Sequence, residues 1–249
     1  MDQLKQRYLS LLPDLPRWVE TRALLSSAGA MLAENATRSG FVIWNADDDL
    51  GSIVGEPNHE GVVRAAECVS QILAFPENIE PVRAILGDFQ AEPAAVFSAP
   101  AQLPPLPLHP CRQMGHHEMA RLQHLPTELF DELSDVARSG RPIVAAFDGA
   151  LPVAFAYVAS ETEALWDVSI DTLASHRRRG YAAAAVVSLM HLMKQRGKTA
   201  VWGALTSNAA SINLARRLGF VQADTLWVLA RRAAEQPAAA DGALNQSSM

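Results

Sequence analysis

The clearest hydrophobic pattern in the chain lies between Ala182 and Met193. Apolar residues recur there at positions 182, 186, 189, 190 and 193, which is the spacing of one helix face. A basic turn ends this segment and Gly197 follows it, as is typical of a helix terminus. The preceding residues 165–172 are rich in β-branched and aromatic types, which predicts a strand. This part of the chain is therefore predicted to run strand, loop, helix.

The flanking residues continue the alternation of strands and helices. Apolar runs at 143–147 and 153–158 predict two strands joined by a hairpin turn at Asp148-Gly149. Further patterns predict helices at 118–125 and 127–138, a strand at 199–206, a helix after Asn208 and a closing strand at 221–229. The second half of the chain is thus predicted to be two helices, three strands, helix, strand, helix, strand.

The first hundred residues give a weaker pattern of the same α/β kind. It predicts a short helix within residues 1–16, strands at 18–25, 41–44 and 94–97, and helices at 60–74 and 78–89. Five prolines between residues 100 and 110 are typical of a stiff linker. We therefore predict an α/β domain at 1–99, a linker at 100–110, a second domain at 111–232 and a disordered tail of small and polar residues at 233–249.

The composition of the chain indicates a globular protein and argues against several kinds of partner and location. The 249 residues are 49% hydrophobic and 19% charged, as in a globular protein, and the net charge of −6 makes nucleic acid an unlikely partner. Cys68 and Cys111 form no C-x-x-C pair, which favours a reducing compartment. Neither a signal peptide nor a membrane-spanning run is evident, so we expect a cytoplasmic protein. Asp47–Asp49 lacks EF-hand spacing and His116 adjoins His117, so no metal site is expected.

A cluster of arginines stands where the predicted strand 165–172 gives way to the helix. Arg177, Arg178 and Arg179 precede Gly180 and Ala182. The first N–H groups of a helix lack intrahelical acceptors and the helix dipole adds positive potential, so this position suits an anion. Arginine adds forked donors, and the small residues allow a phosphate to approach the backbone. The pattern predicts a phosphate-binding loop.

Two motifs in this part of the chain resemble those of a known protein family. Arg177-x-x-Gly180-x-Ala182 resembles the pyrophosphate loop Q/R-x-x-G-x-G/A of the GNAT superfamily of N-acetyltransferases. Asn208-x-x-Ser211, followed by Leu-Ala and then Leu-Gly-Phe, resembles the superfamily's next motif. The resemblance covers residues 114–231, about half of the chain. It implies an α/β fold of the α+β type, with a mixed, mostly antiparallel twisted sheet and flanking helices.

The resemblance also implies a co-substrate and a set of contacts. Acetyl-CoA, or another acyl-CoA, would be the donor, and a small-molecule amine or a protein amine the acceptor. Its binding residues would be Thr172, Arg177, Arg178, Arg179, Gly180, Tyr181, Ala182, Asn208 and Ser211. One position departs from the pattern, because Ala215 stands where many members carry the tyrosine that protonates the leaving thiolate. Water, the product ammonium or Tyr157 then remain as proton sources.

An amine must be neutral to attack a thioester, which calls for a base near the acceptor. Asp167 and Asp171 share one face of the predicted strand, since side chains alternate along a strand, and they are the candidates. Asp171 is preferred because it lies nearer the loop; the alternative is two solvent-facing carboxylates. We therefore expect direct acyl transfer in a ternary complex. The rival hypothesis is an acyl-CoA-binding sensor or partner subunit without catalysis.

Overall fold

The computed structural model describes residues 3–106, 108–122 and 125–231. The disordered tail predicted at 233–249 lies outside these residues. The helices are α1 Gln3–Leu11, α2 Val19–Ser26, α3 His59–Cys68, α4 Ile79–Ile85, α5 Thr127–Arg138, α6 Tyr181–Gln195 and α7 Ala209–Arg217. Short 3-10 turns lie at Pro16–Trp18, His116–Arg121 and Ala174–His176.

The described residues contain eleven strands, which form one sheet. They are β1 Met31–Glu34, β2 Gly40–Asn45, β3 Leu50–Gly55, β4 Gln71–Ala74, β5 Phe89–Ser98, β6 Cys111–Gln113, β7 Ile143–Asp148, β8 Leu151–Glu161, β9 Leu165–Thr172, β10 Thr199–Leu205 and β11 Val221–Arg231. Their order is β1-β2-β3-β4-β11-β5-β10-β9-β8-β7-β6. The pairs β3–β4 and β9–β10 are parallel and the other strand pairs antiparallel. The mixed, mostly antiparallel α/β fold predicted from the sequence is confirmed.

The two halves of the chain repeat one arrangement of elements. The series β1, β2, β3, α3, β4, α4, β5 recurs as β7, β8, β9, α6, β10, α7, β11. In both series the third strand pairs in parallel with the fourth through a crossover helix. The last strands are exchanged: β5 pairs with β10, and β11 pairs with β4. The sheet is therefore nearly symmetric about the central β11–β5 pair.

This exchange joins the two halves into one sheet. β5 comes from the first half, yet it pairs with β11 over its whole length and with β10 from Ala94 to Ser98. The proline-rich stretch runs against the second half: the His191 ring nitrogen Nε2 lies 2.9 Å from the carbonyl oxygen of Pro104. The independence of 1–99 and 111–232 as folding units stays a prediction, and the strand pairing argues against it.

Helices cover both faces of the sheet. On one face α6 packs Val186, Leu189 and Met193 against Trp166 of β9 and Trp202 of β10. On the opposite face α2 and the turn Pro16–Trp18 pack against β4, β5, β10 and β11 through an apolar cluster that includes Trp18, Val19, Leu73 and Val96. Side chains of β9 alternate between these faces, so Asp167 and Asp171 lie opposite Trp166.

Two of the sequence predictions for the first half are wrong. The segment predicted as a strand at 18–25 is mostly α2. Arg22 of α2 donates hydrogen bonds to the carbonyl oxygens of Leu9 and Leu12, which lie at the C-terminal end of α1 and lack donor partners within that helix. The helix predicted at 60–74 stops at Cys68, and residues 71–74 form β4. Both segments are short, and their tertiary contacts override the local pattern. The strands and helices predicted for 143–229 are found within a few residues of their predicted bounds.

Candidate functional site: an anion loop beside a forked pair of strands

The loop between β9 and α6 leaves a helix N-terminus open. Gly180 is the N-cap of α6 and has a φ of 88°, in the left-handed region that favours glycine. Glycine has no side chain to accept from the first N–H groups of the helix, so they stay available to a ligand. The residue is exposed, and α6 continues for 15 residues behind it. This geometry is what an anion site at a helix end requires.

The three arginines lie around this helix end. Arg177, Arg178 and Arg179 are all exposed. Among the described residues, none of their guanidinium groups forms an ion pair with a carboxylate. Arg177 donates through Nε to the carbonyl oxygen of Thr172 at 3.2 Å, which leaves its terminal nitrogens for another partner. The loop therefore carries three positive charges without an ion-paired carboxylate among the described residues.

Tyr181 anchors the loop rather than facing a ligand. Its side chain is buried, and its ring lies 4.4 Å from that of His109, whose Nε2 lies 3.1 Å from the carbonyl oxygen of Arg179. Burial and the nearby Asp148 carboxylate raise the pKa of Tyr181. Asp148 also lies 3.4 Å from His176. These contacts hold the backbone at residues 176–181 from both sides.

The strands next to the loop diverge. β9 pairs with β10 only through Leu165, Trp166 and Asp167, although β9 continues to Thr172 and β10 to Leu205. On its other side β9 stays paired with β8 as far as Thr172, opposite Ala154. The backbone edge of residues 168–172 that faces β10 therefore has no strand partner there. Such an edge can pair with the amide groups of an extended ligand.

The second motif has a structural role that the sequence reveals only in part. The Asn208 side chain accepts from the Ser211 backbone N–H at 3.0 Å and so caps α7, which is consistent with its position before the helix. The Ser211 hydroxyl lies 2.9 Å from the indole Nε1 of Trp202 and accepts its proton. Ala215 is fully buried in the core beneath α6 and offers no proton donor.

Asp167 faces a cavity that sequence reasoning missed. The cavity measures about 160 Å³ and lies on the α2 face, between α2 and strands β4, β11, β5 and β10. Glu20 of α2 also lines it. Burial raises the pKa of Glu20 to about 7. Burial first, and the Glu20 charge second, raise the pKa of Asp167, against an opposing effect of the backbone amides of Val168 and Gly203.

Asp171 lies in a different environment, nearer the loop. Its Oδ2 accepts a hydrogen bond of 2.8 Å from the hydroxyl of Tyr157 on β8. Tyr157 is buried, and burial together with the Asp171 charge raises its pKa. Glu132 of α5 also lies beside Tyr157, and its own pKa is raised by burial. Asp167 and Asp171, which the sequence places on one strand face, therefore lie in different environments.

Comparison with known families gives a match in the second half of the chain. The family model described as GNAT acetyltransferase matches residues 114–229. This region therefore forms a domain of the GNAT superfamily, and the family inferred from the two motifs is confirmed. Comparison with curated proteins gives no significant match.

Solved structures resemble the chain over both halves. A GCN5-related N-acetyltransferase-like protein from Streptococcus suis aligns with a TM-score of 0.68 at 16% identity, over 92% of this chain and 98% of that one. A GNAT-family acetyltransferase from Colwellia psychrerythraea gives 0.59 at 14% identity, over 92% and 95%. A tandem GNAT protein from the clavulanic acid biosynthesis pathway gives 0.57 at 11% identity, over 90% and 94%. At these identities the likeness concerns the fold.

None of the helices in the described part of the chain combines the length and the hydrophobicity needed to cross a membrane. The same residues contain no group of three or more histidine, cysteine, aspartate or glutamate side chains placed to hold a metal ion.

Proposed function

We propose that the protein transfers an acyl group, most simply acetyl, from acyl-CoA to an amine by direct attack in a ternary complex. The observation that carries this proposal is the open, arginine-flanked N-terminus of α6 at the end of a strand whose ladder edge is free. A phosphate site and an extended-chain site are adjacent there, as the pyrophosphate and pantetheine parts of CoA require. Membership of the GNAT superfamily supports acyl transfer as the reaction class.

The loop residues take distinct roles in this proposal. The backbone N–H groups at Gly180, Tyr181 and Ala182 bind the pyrophosphate, and Arg177–Arg179 supply charge. The backbone of residues 168–172 pairs with the amide groups of the pantetheine arm. Asn208 and Ser211, at the start of α7, line the other side of this arm. Ser211 acts mainly by accepting the hydrogen bond that holds Trp202 in place.

The length of CoA favours Asp167 over Asp171, the base preferred from the sequence. The pantetheine arm separates the pyrophosphate from the thioester, so a cofactor bound at residues 177–182 places its thioester several residues back along β9. That position lies closer to Asp167, where β9 and β10 separate, than to Asp171. We therefore assign Asp167 as the base, with Asp171 as the second candidate. A backbone N–H of β9 polarises the thioester carbonyl, and proximity supplies much of the acceleration.

Two measurements test this function. Calorimetry with acetyl-CoA should show micromolar binding, about −8 kcal/mol, and the absence of binding at millimolar ligand contradicts the proposal. Thiol release from acetyl-CoA should then depend on an added amine, with the acetylated amine identified by mass spectrometry. Acetyl-CoA should leave no acetyl group on the protein when amine is absent, because direct attack forms no acyl-enzyme.

The second candidate function is an acyl-CoA sensor or partner subunit. Ala215 favours it, since the position of the usual proton donor holds a buried methyl group. This alternative predicts CoA binding at the same loop without amine-dependent thiol release for any amine tested.

The cytoplasmic location, inferred from the cysteines and from the lack of a signal peptide or membrane-spanning run, stays a prediction.

A further inference from the structure

The cavity on the α2 face lies where an acceptor of the proposed reaction would have to approach. Asp167 is the last residue of β9 that pairs with β10, and Gly203 and Leu205 of the diverging part of β10 also line the cavity. The cavity therefore opens beside the fork that the thioester would occupy. Its opposite wall, Val19 and Glu20, comes from the first half of the chain.

The walls are mainly apolar, and their polar side chains are Glu20, Gln71 and Asp167. Aliphatic side chains form most of the lining, among them Val19, Leu73, Ala94, Val96, Val201 and Leu226. A cavity of about 160 Å³ is close to the ~150 Å³ that accommodates a benzene-sized guest in another protein. Among the described lining residues there is no lysine, arginine or histidine.

Asp167 has an unmet hydrogen-bonding requirement at this wall. Its Oδ1 is shielded from solvent and has no hydrogen-bond partner among the described residues. A buried carboxylate oxygen without a partner is costly, so a donor is expected there in the working complex. Glu20 is close enough for its charge to act on Asp167. Two partly buried carboxyls that interact in this way resist ionising together, so a bound cationic group would stabilise their charged forms.

The surrounding arginines are already engaged elsewhere. Arg17 pairs with Glu77 and Asp224. Arg22 pairs with Glu163 and Asp14. Neither arginine lines the cavity, so the negative charge of the Glu20–Asp167 pair is left for a ligand.

We propose that this cavity is the acceptor site and that it selects a primary amine carried on a short, uncharged aliphatic group, held by Glu20 and Asp167. The proposal rests on the acyl transfer proposed above and adds the class of substrate. It also gives the first half of the chain a function, because α2 supplies one of the two carboxyls. An acceptor with its own carboxylate would meet an acidic, apolar wall and is excluded.

In the proposed reaction the carboxyl groups of Glu20 and Asp167 accept and later release one proton. The bound alkylammonium gives one proton to the carboxyl pair and becomes a neutral amine. Its nitrogen attacks the thioester carbonyl carbon, the N–C bond forms and the C–S bond breaks with its electron pair going to sulfur. The second nitrogen proton passes to that thiolate, directly or through water, so the products are amide and free CoA thiol. The pair then releases its proton to solvent.

The test uses the full chain with acetyl-CoA and linear alkylamines from ethylamine to octylamine, each paired with the amino acid of the same length that ends in a carboxylate. Hexylamine and 6-aminohexanoate form one such pair. Turnover should peak at a short chain length and fall strongly for the carboxylate partner. Glu20→Gln should raise the amine KM ~10- to 100-fold, as expected when a charged hydrogen bond is lost. It should also move the acid limb of kcat/KM to lower pH, because removing the Glu20 charge lowers the pKa of Asp167.

Two further variants separate the site from general damage. Ala94→Val adds methyl groups inside the cavity and should shift the preferred amine to a shorter chain, with acetyl-CoA affinity unchanged. Glu60→Gln, an exposed carboxylate on α3, is the matched control and should behave like the parent.

Three results would overturn the inference. If amines are acetylated but neither Glu20→Gln nor Ala94→Val alters their selection, acyl transfer stands and the cavity is not the acceptor site. If Ala94→Val changes the preference between acetyl-CoA and butyryl-CoA instead, the cavity holds the acyl chain. If acetyl-CoA binds and no amine in the panel is acetylated, the alkylamine acceptor class is wrong, and the proposed function itself fails only if acetyl-CoA does not bind.

Discussion

The hydroxyl of Tyr157 donates a 2.8 Å hydrogen bond to Oδ2 of Asp171 on the neighbouring strand. The raised pKa of Tyr157 keeps that hydroxyl protonated, so it acts as the donor of this hydrogen bond. Asp171 is thus tied to a buried tyrosine and lies next to the loop. Asp167, by contrast, has an unpaired oxygen and lies at the fork of β9 and β10. From this difference we expect Asp167, rather than Asp171, to accept a proton in the proposed reaction.

The two aspartates should respond differently to the same substitution. Asp167→Asn should lower kcat by ~10²–10⁴-fold, the usual effect of removing a general base, with acetyl-CoA affinity intact. Asp171→Asn should lower kcat by less than about tenfold, because an amide still accepts from Tyr157. Steady-state kinetics with the best alkylamine, between about pH 6 and pH 9, measure both. A larger loss from Asp171→Asn would assign the base to Asp171.

The two glycines that flank α6 offer a matched test of the anion loop. Gly180 precedes the helix with a φ of 88° and Gly197 follows it with a φ of 76°. Alanine at either position costs about 1 kcal/mol, because the left-handed conformation disfavours a Cβ. A Cβ at Gly180 would also lie 3.2 Å from His109, whereas Gly197 has open space. We expect both variants to lose similar stability in thermal melts, but only Gly180→Ala to weaken acetyl-CoA binding in calorimetry.

Valine at Gly180 should abolish binding within the concentration range of that experiment. Equal acetyl-CoA affinity of Gly180→Ala and Gly197→Ala would show that the cofactor does not approach the N-terminus of α6.

Sequence patterns predict the second half of the fold well because its elements are long and marked by local signals. The helix face from Ala182 to Met193 and the turn at Asp148-Gly149 need no tertiary information. The exchange of β5 and β11 depends on pairing between distant segments, which no local pattern encodes. The same holds for the site. The loop at Arg177–Gly180 is contiguous in sequence, so a local motif can reveal it. Glu20 comes near Asp167 only because α2 packs on the sheet, and no local pattern indicates this.

The strand exchange predicts that the second half cannot fold by itself. A fragment of residues 110–231 lacks β5, so the inner edges of β10 and β11 lose their ladder partner and their apolar cover. Circular dichroism and acetyl-CoA calorimetry should show a fragment that is largely unfolded or aggregated and does not bind. Residues 86–231, which restore β5, are the control and should recover more structure. A folded, binding-competent 110–231 fragment would establish two independent domains.

The repeat of elements raises the question of a second CoA site, and the chemistry of the first half argues against one. The helix that corresponds to α6 is α3, and its N-terminus is occupied: the Asn58 side chain accepts from the Gly61 N–H at 2.9 Å. Glu56 and Glu60 flank it where the second half has arginines. Anions are therefore repelled there. Calorimetry should give one acetyl-CoA per chain, and two equivalent sites would contradict this assignment.

The partly buried carboxyl of Glu20 should make stability depend on pH in a direction opposite to that of most carboxylates. Its pKa is raised from an ordinary value of 4.5 to about 7, so the folded state binds the proton more tightly than the unfolded state. The stabilisation is complete below the unfolded pKa and is lost as pH rises through the folded one. Each pKa unit corresponds to ~1.4 kcal/mol, so the loss for Glu20 is at most about 3 kcal/mol. The raised pKa of Asp167 acts in the same direction.

Glu20→Gln replaces this carboxyl by a neutral group of similar shape and should remove most of that loss. We expect the variant to match the parent near pH 5 and to melt at a higher temperature than the parent near pH 8, in the absence of amine. Thermal melts of both proteins and of the exposed control Glu60→Gln across this range measure the difference. If the parent instead gains stability relative to Glu20→Gln as pH rises, the Glu20 carboxylate is stabilised by a partner in the folded protein.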